Sequence, residues 1–65
     1  MVELERTLDI VRLSVMQSVL TDAGIDHYVF DSGAGGLWQG AFPTRLMVRD
    51  EDLEMARFTL RQAGL

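Results

Sequence analysis

Apolar and polar residues alternate at the start of the chain, with Val2 and Leu4 on one side and Glu3 and Glu5 on the other. A two-residue period marks a strand with one buried face. The period then lengthens: Leu13, Met16, Val19, Leu20 and Ala23 recur at helical spacing, flanked by Val11 and Val15. Thr7 is expected to cap that helix, with Asp9 in its first turn, where a carboxylate meets the positive end of the helix dipole. Gly24 stops it at the place where a left-handed residue is usual.

The segment IDHYVFD (25–31) is rich in β-branched and aromatic residues and predicts a second strand. RLMVR (45–49) alternates again, with Leu46 and Val48 facing one way and Arg45, Met47 and Arg49 the other. DEDLE then opens a second helix, Asp50 its expected cap, with a narrow core stripe of Leu53, Ala56, Leu60 and Ala63, and Gly64 closing it. The order strand, helix, strand, strand, helix has one economical solution. A right-handed crossover makes the first two strands parallel, and the third pairs antiparallel between them. The expected fold is α+β and ferredoxin-like: a three-stranded antiparallel or mixed sheet with two helices on one face. It lacks a fourth strand, so the first strand is an open edge.

If Ile25 and Val29 face the helices, His27 does too, and Tyr28 and Phe30 join Met47 on the bare side. These three form an apolar patch, with Glu3, Glu5, Arg45 and Arg49 beside it and placed to pair across strands. An apolar patch with a polar rim marks an interface, here one between copies of the chain. On the second helix Met55 and Phe58 project away from the core stripe, near Gln62, and hint at a further contact surface.

DSGAGGLWQGAFPTR (31–45) holds four of the six glycines, the only tryptophan and the only proline. Phosphate loops use glycines so that successive amides converge on an anion in front of a helix. Here the dinucleotide spacing would need glycine where Trp38 stands, there is no lysine, and Pro43 leads into a strand. That leaves an inter-strand loop carrying Leu37, Trp38, Gln39 and Phe42. Either these contact a partner or ligand, or Trp38 and Phe42 fold back over the bare face of the sheet.

The polar residues in apolar surroundings are Arg12 and His27. Arg12 lies in the stripe of the first helix: its stem packs and its head reaches water, or it pairs with Asp9 or Glu5, or it meets an anion. Arg45 and Arg49 are the other candidate anion contacts. His27 cannot easily share a metal with Asp26, because neighbours on a strand point to opposite faces. Only Ser32 is near as a nucleophile, so a histidine satisfied by the local backbone is expected, with no catalytic residues.

Composition narrows the class. Sixty-five residues make one domain, 1–65. A chain this short buries only about 60% of its unfolded surface, so little stability is to spare. With no cysteine and one histidine, disulfides and thiolate or His-rich metal sites are out, no cofactor is expected, and self-association is the remaining support. A net charge of −4 suits nucleic-acid backbones poorly. No apolar run reaches membrane-spanning length, and the acidic start is unlike a secretory signal, so a cytoplasmic domain is expected.

The opening ELERT, the helix end AGI, the glycine-bearing loop and the block RLMVRDEDLEMA together resemble a family of small bacterial domains named for prokaryotic signal transduction, of unknown function. The resemblance spans nearly the whole chain. It implies a fold like that of nitrogen-regulatory signal transducers, whose long loop between the second and third strands contacts partner proteins. Residues 32–44 occupy the equivalent place. It brings no catalytic residues. Two functions follow as expectations: a self-associating regulatory or interaction module that presents the loop to a protein partner, or a small-molecule or nucleotide sensor with its pocket between the loop and a neighbouring subunit.

Overall fold

The computed structural model describes residues 1–31 and 43–65, and the loop residues Leu37, Trp38, Gln39 and Phe42 lie outside them. Its elements are β1 (Val2–Thr7), α1 (Ile10–Asp22), β2 (His27–Asp31), β3 (Thr44–Val48), a 3₁₀ turn (Asp50–Asp52) and α2 (Leu53–Gln62). The sheet order is β1-β3-β2, with β3 antiparallel to both neighbours. The result is the α+β arrangement of the ferredoxin-like type that the alternating and helical periods dictate.

One core lies between the sheet and the helices. Leu46 and Val48 of β3 are fully buried, as are Met16 and Leu20 of α1 and Ala56 of α2, and Leu13, Ile25 and Leu60 complete the cluster. Val2, Leu4, Val19, Leu53 and Leu65 pack against it. Each fully buried Leu, Val or Met contributes about 1.5–3 kcal/mol relative to an exposed one. Both helices therefore sit on the face to which Leu46 and Val48 point.

Both helices end alike. Gly24 (φ 74°) and Gly64 (φ 82°) take left-handed backbone. The amides of Ile25 and Leu65 donate to Leu20 and Leu60 at 2.9 Å, and those of Gly24 and Gly64 donate to Thr21 and Arg61 at 3.0 Å. This is the six-to-one and five-to-two bonding of a Schellman cap, and it sends the apolar residue after each glycine back onto the core. Ala23 and Ala63, which helical spacing assigns to the core stripes, are exposed. Each sits at the cap, where the chain has already turned off the helix.

The helix starts differ from expectation. Asp9, not Thr7, caps α1: its backbone is extended, and its Oδ1 accepts from the amides of Val11 (3.0 Å) and Arg12 (3.1 Å). Thr7 ends β1 instead, and its hydroxyl accepts from the Asp9 amide at 3.0 Å. Asp50 makes no side-chain cap for α2. It opens the 3₁₀ turn, which places Asp50, Glu51 and Asp52 ahead of the helix.

The main departure lies in β1. Glu3 pairs with Met47, but Glu5 pairs with Leu46, so Leu4 is an extra residue and the strand is bulged. Strict alternation would put Glu3 and Glu5 on the same, bare side. After the bulge the phase flips: Glu5 turns to the helix side opposite buried Leu46, and Arg6 turns to the bare side opposite Arg45.

Candidate interaction surface

The bare face is built by alternation on β2 and β3 and by the bulged register of β1. On β2 Tyr28 pairs with Met47 and Phe30 with Arg45, and on β1 Glu3 and Arg6 take the other flank of the same two β3 residues. Tyr28 and Phe30 remain 46% and 47% exposed, whereas Met47 at the centre is half-buried. This brings together the expected patch of Tyr28, Phe30 and Met47. Its inward counterparts behave otherwise: Ile25 is buried and His27 half-buried. His27 Nδ1 lies 3.1 Å from the Ile25 carbonyl oxygen, the local backbone partner that its position suggested. Val29 faces the helix side beside buried Leu46 yet stays 40% exposed, because β2 is an edge.

Charges rim the patch in a pattern different from the expected one. Glu3 bonds Arg6 at 2.9 Å within β1. Arg49 pairs with Asp26 at 3.0 Å across the far end of the sheet. The Arg49 guanidinium is held above its ordinary pKa by the Tyr28 hydroxyl and then by Asp26. Glu5 is absent from this rim. It holds Arg12 on the helix side through two bonds, Nε to Oε2 at 2.6 Å and Nη2 to Oε1 at 3.1 Å. That hydrogen-bonded carboxylate, and then its charge, raises the Arg12 pKa. Of the readings open for Arg12, the ion pair with Glu5 is the one formed.

The three candidate anion contacts therefore do not converge. Arg12 is engaged on the helix side, and Arg49 is engaged by Asp26. Arg45 stands on the bare face with its Nε buried and, among the described residues, without a hydrogen-bond partner. A buried guanidinium N–H without an acceptor is costly, so this atom is the polar irregularity of the site.

Met55 and Phe58 are exposed on the far side of α2, as their spacing required. A second apolar row went unrecognised. Leu8, Ile10, Val11 and Val15 are all exposed on or beside α1. The signal was present: Val11, Val15 and Val19 follow an i, i+4 row displaced from the buried row of Leu13, Met16 and Leu20.

Fold and surface define a small α+β domain in which, among the described residues, both helices cover one face of the sheet and none covers the other. The chain belongs to the family described as "Putative prokaryotic signal transducing protein", whose model matches residues 1–64. That family is named for signalling rather than for a catalysed reaction. No curated protein and no solved structure matches the chain. No helix among the described residues is long and apolar enough to cross a membrane.

Proposed function

We propose that this chain is a cytoplasmic regulatory interaction module without catalytic activity. It associates with itself through the bare face of its sheet and presents the 32–44 loop, led by Trp38 and Phe42, to a partner protein. One observation carries this reading: Tyr28 and Phe30 stay about half exposed beside Met47, on the side of the sheet away from both described helices. Aromatic side chains bury large areas with few torsions to freeze, so a pair of them on a bare face favours association. Light scattering over a concentration series tests it. The wild-type chain is expected as a dimer or larger species, and Y28S/F30S at a lower mass. An unchanged mass in the double variant overturns the role of this face.

Arg45 supports a second reading, that of a small-molecule or nucleotide sensor, because its buried Nε has no acceptor among the described residues. In that case the loop and a neighbouring subunit close a pocket over an anion. Trp38 is the sole tryptophan, so its fluorescence reports on the loop alone. An emission shift on adding a nucleotide, lost in R45Q, supports the sensor. An unchanged emission over the titration removes it.

A further inference from the structure

The bulge in β1 gives that strand a symmetry that a regular strand cannot have. Side chains of a regular strand alternate, so positions 3 and 6 fall on opposite faces. Here Val2 faces the helices, Glu3 the bare side, Leu4 and Glu5 the helices, Arg6 the bare side and Thr7 the helices, as their β3 partners and the packing of Leu4 on the core show. The sequence of faces is the same in both directions about the midpoint of Leu4 and Glu5. Charge follows it: Glu3 and Arg6, of opposite sign, are equidistant from that midpoint. No described strand pairs with the outer edge of β1. Its backbone donors and acceptors on that side form a template for another strand.

We infer that β1 pairs antiparallel with β1 of a second copy of this chain, about a two-fold axis between Leu4 and Glu5. This register sets Val2 against Thr7 of the other copy, Glu3 against Arg6, and Leu4 against Glu5. Bare-side residues meet bare-side residues, and two Glu3–Arg6 contacts form across the axis. Within each copy Glu3 already holds Arg6 at 2.9 Å, so the four groups become one alternating charge cluster. The two Glu5 carboxylates near the axis do not repel strongly, because each is bound by its own Arg12. The product is a continuous six-stranded sheet with both aromatic patches on one side. Bulges also serve to discourage edge pairing, but such a guard requires no charge complementarity about its own centre.

This contact uses residues separate from Tyr28, Phe30 and Met47, and it stands whether or not that face self-associates. Charge reversal tests it. The E3R chain carries two cations on the edge and the R6E chain two carboxylates, so each repels its own kind and they attract one another. Native mass spectrometry of a 1:1 mixture, in the Y28S/F30S background and in the wild-type background, counts homodimers and heterodimers. The expected result is weakened self-association of each variant alone and heterodimers in about tenfold excess over homodimers in the mixture. A merely structural role for the Glu3–Arg6 bond within one chain cannot produce that rescue. A statistical mixture, or monomers throughout in both backgrounds, overturns the edge contact. A statistical mixture whose mass falls in Y28S/F30S leaves the aromatic face standing while removing the edge. Heterodimer excess with a mass unaffected by Y28S/F30S does the reverse.

Discussion

The two faces of this sheet share three strands and differ in nearly everything else. On the helix side Leu46 and Val48 are fully buried, and the ion pair that joins α1 to β1, Arg12 with Glu5, is held by two hydrogen bonds. On the other side their neighbours Arg45 and Met47 meet two half-exposed aromatics and a rim of charges. Alternation places adjacent residues in these opposed environments. The contrast teaches where stability and interaction reside. The helix side holds the small chain folded, and on the other side Tyr28 and Phe30 are covered by neither described helix and stay about half exposed.

Substitutions should separate the two sides, and the largest effect belongs to the core. Met16→Ala empties a fully buried position and is expected to cost about 2–5 kcal/mol, enough in a domain of this size to lose cooperative thermal unfolding by circular dichroism. Phe30→Ser, on the other side, is expected to change monomer stability by under about 1 kcal/mol while altering mass in solution. Equal losses of stability from the two would erase the distinction between the faces.

The next effect concerns the cap that returns the chain to the core. Gly24→Ala adds a Cβ in open space but at φ 74°, so its expected cost of about 1–2 kcal/mol is backbone strain alone. Asp9→Ala removes the acceptor for two α1 amides and should cost about 1 kcal/mol in denaturant unfolding. Glu5→Gln should cost less than that, since its bond to Arg12 is only part-buried. The pH dependence has a definite sign. Arg12 and Arg49 have pKa values raised in the folded chain, so their contribution is complete below the ordinary arginine range and is lost only as pH rises above it. Stability from these two groups is therefore flat through neutral pH, and a fall between neutral and mildly alkaline pH in the wild type that vanishes in R12Q would contradict the assignment.

Much of this was legible in the residues. The two-residue period at 2–5 and 45–49 and the helical stripe from Leu13 to Leu20 gave elements, order and core, and Gly24 and Gly64 marked both helix ends because only their backbones turn left-handed there. The patch of Tyr28, Phe30 and Met47 followed from the same alternation. The bulge at Leu4 was not legible, since β3, rather than anything local to VELERT, decides where β1 slips a residue. Placing Glu5 with Arg12, seven residues away, required that slip first. Thr7 and Asp9 are both good caps, and only the length of β1 decides between them. The exposed row of Leu8, Ile10, Val11 and Val15 was obscured by its resemblance to core, because the apolar residues of α1 extend around more of the helix than the sheet covers.

The central claim is that association covers the bare face of the sheet. Hydroxyl-radical footprinting over a concentration series tests it directly, because Tyr28 is the only tyrosine and Met55 and Phe58 on α2 serve as exposed references. The account predicts that labelling of Tyr28 and Phe30 falls as concentration rises, relative to Met55 and Phe58. Labelling of Tyr28 and Phe30 that stays constant while the mass in solution increases would contradict it.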